Sequence, residues 1–133
     1  MESRFTNSLP EIEEAMKCLA LERGTACVFH LMRVMEFGIK KLGKKLRVDI
    51  DVEKETWYQI EQHVNKAIAA MPSSTSANQK KKQKHASAAA GLGSVRIAWR
   101  NDVMHPKATY TEEEARRIMD HVGGFLNSLC PLI

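Results

Sequence analysis

Residues 26 to 39 constrain this chain more than any other stretch. Ala26, Cys27, Val28, Phe29, Leu31, Met32, Val34, Met35, Phe37 and Ile39, continued by Leu42, wrap a helical wheel almost completely. Only a narrow polar line made by His30, Arg33 and Glu36 breaks the apolar surface. A helix with so little polar circumference has to be covered on several sides, at the centre of a bundle or against a second chain. The polar line allows two readings. Arg33 and Glu36, three apart, can pair with each other, or they can, with His30, support a site near Arg100.

The flanking segments carry the same period. Pro10 followed by Glu11, Glu13 and Glu14 places acids near the positive end of a helix dipole. Ile12, Ala15, Met16 and Leu19 follow at helical spacing, which predicts a first helix over 10–22. Thr25 is positioned to cap a second helix over 25–46. A third, over 53–71, carries Trp57, Ile60, Val64, Ala67, Ile68 and Met71 on one stripe and ends at Pro72, with His63 beside the stripe. Residues 72–84, rich in Ser, Thr, Asn, Gln and Lys, read as an exposed basic loop. The fourth helix, over 84–103, opens with small residues that let a neighbour approach closely. Thr111 with Glu114 forms a capping box that starts a fifth helix over 112–129. Strand alternation is absent. The expected architecture is an all-α, up-and-down bundle of about five helices in one domain of 133 residues, with a flexible N-terminus over 1–9.

Composition narrows the function classes. The chain is 44% hydrophobic and 27% charged, ordinary values for a globular protein. It holds no run of about 18 apolar residues, so no membrane partner is expected. Without an apolar signal region behind Arg4, secretion is not expected, and a cytoplasmic location follows. Cys18, Cys27 and Cys130 are odd in number and lack CxxC spacing, so neither a disulfide framework nor a metal site is indicated, and no cofactor is expected. The net charge of +4 is unevenly spread. Lys40, Lys41, Lys44, Lys45 and Arg47 either mark a polyanion partner or complement a helix C-terminus. Lys80, Lys81, Lys82 and Lys84 form a second cluster, read either as RNA contacts or as a solvated linker.

Chemistry concentrates at the end of the fourth helix, in Ala98-Trp99-Arg100-Asn101-Asp102-Val103-Met104-His105-Pro106. Pro106 disfavours helical φ/ψ at His105, so the imidazole is expected at or just past the helix end, with Arg100 on the rigid last turn. Arg116 and His121 repeat the spacing inside an uninterrupted helix, where five positions turn through roughly 500° and separate the two side chains; that pair reads as surface. Arg96 and Arg100, four apart, repel slightly, so each calls for an anionic neighbour or ligand.

The segment Arg100-Asn101-Asp102-Val103-Met104-His105 resembles the R-x4-6-H motif of the HEPN superfamily, small all-α domains in which a polar residue often follows the Arg. The likeness extends to ALERGTACVFHLMRVMEFGIKKLG, to the tryptophan-bearing third helix and to RNDVMHPKATYTEEEARRIMDHV, which together look like one bacterial branch and cover about residues 10 to 129. The resemblance implies a bundle that dimerises with two Arg-His motifs lining one cleft. It also implies, for many members, metal-independent endoribonuclease activity in toxin–antitoxin or phage-defence systems, with an antitoxin or a fused domain as further partner. Other members have degraded motifs and serve as dimerisation or nucleotide- and RNA-binding modules. Arg100, Asn101 and His105 match the active pattern, with Asp102, Arg33, Glu36 and His30 as supporting residues. In some toxin-like members a Tyr stands two residues after the His and accepts a neutralising nucleotidyl group; here that position is Lys107, and Tyr110 is off-register.

The residues agree with that chemistry. Metal-free RNA cleavage requires the 2′-hydroxyl to lose a proton, the 5′-oxygen to gain one, and the phosphorane charge to be stabilised. Histidine titrates near neutrality and serves as base or acid. Arginine offers a permanently charged, forked donor to phosphate oxygens, and Asn101 can orient the His or bind the phosphate. One motif supplies one imidazole, so two motifs across a dimer would supply both acid and base. The structural alternative pairs Arg100 with Asp102 or Glu36 and leaves His105 as a helix cap. The polar N-terminus, Met1 to Leu9, is compatible with a fragment of a longer protein.

Overall fold

The computed structural model describes residues 8–103 and 109–133, with side chains described except at positions 98 and 100–103. Among the described residues there are five α-helices and no strand: α1 (Leu9–Ala20), α2 (Gly24–Leu46), α3 (Trp57–Ala69), α4 (Ser76–Val103) and α5 (Glu112–Leu129), followed by a 3-10 turn (Cys130–Leu132). The expected flexible N-terminus and His105 lie, wholly or nearly so, outside the described residues.

Helix α2 is the hub. It packs on α1, α3 and α5, and Cys27, Val28, Leu31, Val34, Met35, Ile39 and Leu42 are buried within one chain. Packing inside the chain therefore accounts for most of the apolar circumference. Phe29 is left 56% exposed, and Phe37 half-buried. The buried Cys27 thiol is pushed up to about 11, by desolvation first and the nearby Cys18 second, and stays protonated at neutral pH.

Helix directions follow from the pairs that touch. Tyr110 N donates to Thr25 Oγ1 at 2.9 Å, and farther along Gly38 sits against Phe125 and Leu129, so α2 and α5 run in the same sense. In contrast, Glu11 meets His30 and Arg33 across α1 and α2, and Ser94 meets His121 across α4 and α5. Strict up-and-down order would make α2 and α5 antiparallel, and it is not kept. The connection over 47–56 permits this: ten residues reach up to about 33 Å, longer than a helix of α3's size. Val52 of that connection packs on Gly43 at the end of α2, as does Ile60 of α3.

Two helix starts differ from expectation. Helix α3 begins at Trp57, because Thr56 and Gln59 form a capping box and residues 51 to 55 form a separate turn. Helix α4 begins at Ser76, so Lys80, Lys81, Lys82 and Lys84 are helical and only the first residues of the expected loop over 72–84 remain outside the helix. Thr75 accepts from Asn78 N at 3.1 Å, and the Ala, Lys and Gln that follow are strong helix formers. Thr25, expected as a cap, spends its hydroxyl on Tyr110 instead.

Gly24 shows how tightly the start of α2 meets the approach to α5. A Cβ there would lie 2.6 Å from the Tyr110 carbonyl oxygen and 2.8 Å from that of Thr111. Backbone carbonyls cannot swing aside. Gly24→Ala is therefore expected to destabilise the fold by about 1–3 kcal/mol, read from its urea midpoint; an unchanged midpoint would mean that the α2–α5 junction gives way freely.

Candidate functional site

Arg100, Asn101 and Asp102 belong to the last turn of α4, directly after Trp99. Helices α3 and α4 are antiparallel: Lys82 Nζ donates to the Ala69 carbonyl at 3.2 Å at one end, and Arg96 reaches Glu61 farther along. That arrangement brings Trp99 to the start of α3, where it stacks on Trp57 with centroids 5.8 Å apart and planes 15° off parallel.

The two indoles form one wall of a cavity of about 670 Å³. From α2 it is lined by the polar line of His30, Arg33 and Glu36, by Lys40, by Met32 and Ile39, and by the exposed Phe29. Glu55 and Thr56 close the α3 end. Both indole nitrogens are shielded from solvent, and neither has a hydrogen-bond partner among the described residues. A shielded donor without an acceptor costs about 1–3 kcal/mol.

The polar line is already organised by other helices. Glu11 of α1 accepts from Arg33 Nη1 at 2.9 Å and sits 2.5 Å from His30 Nδ1. The His30 hydrogen bond, with Arg33 beside it, holds the Glu11 carboxyl below the usual carboxylate range. Glu36 instead meets Lys40 at 3.1 Å. Arg33 and Glu36 thus do not pair with each other; both line the cavity shared with Trp99.

The basic clusters divide. Lys40 and Lys44 share Glu53, at 3.4 and 2.8 Å, Lys41 lies over the Phe37 ring, and Lys44 and Lys45 occupy the last turn of α2. This first cluster is largely the helix-end arrangement. In the second, Lys80, Lys81 and Lys84 are exposed on α4, whereas Lys82 reaches back to α3. Arg96 is held by the buried carboxylate of Glu61 and lies over the Tyr58 ring. That partner supplies the anion its charge called for and removes its Nε from duty as an RNA contact. The exposed Arg116 pairs with Glu112, while His121 is half-buried against Ser94.

The side chains of Arg100, Asn101 and Asp102, and all of His105 and Lys107, lie outside the described residues. Tyr110 is buried, as a core residue rather than an accessible modification target. Sequence reasoning did not anticipate Glu11, Glu61 or the tryptophan stack. Glu11 was visible only as a first-turn acid, and its partners are set by helix pairing. Comparison with family models, curated proteins and solved structures finds no match. No helix among the described residues is long and apolar enough to cross a membrane.

Proposed function

We propose that the chain is a metal-independent endoribonuclease of HEPN type, acting as a homodimer in which Arg100, Asn101 and His105 of two protomers serve one cleft. The observation that supports this reading is positional: Arg100 and Asn101 directly follow Trp99, whose ring lines the cavity of about 670 Å³. A flipped base stacked on an aromatic wall gains roughly 1–3 kcal/mol, and a base seated there would bring its own phosphate toward the end of α4. Arg100 clamps that phosphate, Asn101 orients it, and His105 moves the protons. A toxin or phage-defence role, with an antitoxin or fused domain as regulator, is the setting the resemblance implies.

Single-stranded RNA incubated with the protein in EDTA is expected to be cut and to end in a 2′,3′-cyclic phosphate, while DNA of the same sequence survives for want of the 2′-hydroxyl. Cleavage of DNA, or a requirement for magnesium, would sink the mechanism. Light scattering should report a dimer; a monomer at micromolar concentration would remove the shared cleft. A second reading, a non-catalytic RNA- or nucleotide-binding module, is favoured by one observation: the aromatic-walled cavity is complete within a single chain. RNA bound but never cut would select it.

Lys80, Lys81 and Lys84 provide the electrostatic approach. Replacing all three with glutamine should weaken RNA binding and flatten its salt dependence, the slope falling by roughly 0.7 for each phosphate no longer neutralised. An unchanged slope would return these lysines to the solvated face of α4.

A further inference from the structure

We propose that Glu14, Cys18 and His30 form a binding site for a divalent metal of the zinc class, lying between α1 and α2. Glu14 and Cys18 are four apart on α1 and share a face; His30 comes from α2 opposite. One ligand atom from each, a carboxylate oxygen, the Sγ and a ring nitrogen, lies within 4.8 Å of the other two. Zinc bonds of 2.0–2.3 Å in tetrahedral geometry put ligand atoms roughly 3.3–3.8 Å apart. The set therefore needs to close by at most about 1.5 Å, within the reach of side-chain torsions at an exposed Glu14 and half-buried Cys18 and His30.

A second feature prepares His30 for this role. With the Glu11 carboxylate on Nδ1, a metal held by Nε2 would complete the carboxylate–histidine arrangement that orients imidazole ligands. Arg33 holds the other oxygen of the same carboxylate, so the orienting group is itself oriented. Mixed sulfur, nitrogen and oxygen donors favour zinc or cobalt over magnesium or calcium, which take oxygen sets. Glu14 otherwise makes a loose contact of 3.7 Å with Lys17, both largely exposed, so metal binding displaces little. Three protein ligands leave a fourth position for water. Bound metal would tie α1 to α2, and because cobalt spectra and thiol reactivity report on it rather than RNA cleavage, the site is tested separately from the ribonuclease reading.

The test uses the full chain, stripped with EDTA and titrated with cobalt(II). One equivalent is expected to bind with a thiolate-to-cobalt charge-transfer band in the near ultraviolet and visible bands of tetrahedral intensity, both bleached by zinc. Cys18→Ser should remove the charge-transfer band, and Glu14→Gln and His30→Gln should each weaken binding by at least the roughly 10–100-fold that loss of an outer-shell partner costs. Alkylation followed by mass spectrometry reads the same site without a variant: zinc should slow modification of Cys18 at least tenfold and leave Cys130 unaffected. The proposal is overturned if cobalt does not bind at micromolar concentration, if the charge-transfer band survives Cys18→Ser, or if zinc leaves Cys18 as reactive as before.

Discussion

Replacing Arg96 with alanine is expected to lower stability by about 3–5 kcal/mol, because removing one partner of a buried ion pair leaves the other charge uncompensated. Glu61 is only 7% exposed, and its carboxylate accepts from Arg96 Nε. Its other oxygen lies against Gly93, where even a Cβ would approach to 3.1 Å. The carboxylate thus lies buried against α4. A charged Glu61 deprived of Arg96 is left unpaired at the α3–α4 contact, and the Trp57–Trp99 stack lies at that same junction. The double change Arg96→Met with Glu61→Leu should recover most of the stability, since an apolar pair of similar volume avoids the desolvation penalty. Urea denaturation of the three proteins checks this. A single variant within about 0.5 kcal/mol of the wild type, the range of ordinary surface changes, would mean that the pair is not what fixes the α3–α4 packing. The same variant separates structure from recognition: reduced stability with an unchanged salt slope of RNA binding marks Arg96 as a positioning residue.

That prediction depends on a partner that the sequence alone does not disclose. Local signals were legible where the physics is local. The capping box of Thr111 and Glu114 is present as read, with Glu114 N donating to Thr111 Oγ1 at 3.1 Å. The apolar wheel over 26–39 called for cover on several sides, at the centre of a bundle or from a second chain, and within one chain α1, α3 and α5 pack on α2; periodicity reports burial directly but not which neighbour supplies it. The misreadings arose where two local signals compete. The lysine run after Ser76 has loop-like polarity and helix-forming side chains at once, and Thr75 as a cap decides for helix. Acids at Asp51 and Glu53 imitate a helix start, yet the box at Thr56 and Gln59 sets it. Tertiary pairings were not legible at all: Glu11 with His30 and Arg33, Glu61 with Arg96, and Trp57 on Trp99 depend on which helices run beside each other. The direction of α2 relative to α5 is of the same kind, since a connection as long as 47–56 can return the chain in either sense.

His105→Ala is expected to reduce RNA cleavage by about 10²–10⁴-fold while leaving RNA affinity nearly intact. Its imidazole is assigned to proton transfer, which contributes in the transition state and little to the bound ground state. Arg100→Ala should harm both cleavage and affinity, because a phosphate clamp acts before and during the reaction. Arg100→Lys should recover only part, since an ammonium supplies charge without the fork that grips two phosphate oxygens. Mixing the chains tests whether the site is composite. In a His105→Ala and Arg100→Ala heterodimer, each protomer retains what the other lacks, so partial activity returns only if residues of both chains serve one phosphate. Trp99→Ala extends the test to the cavity: removal of a stacking wall should weaken binding of single-stranded RNA by roughly 1–3 kcal/mol without altering the cyclic-phosphate product. A fully active His105→Ala protein would refute the acid–base assignment outright, and the aromatic cavity would then be left with binding as its task.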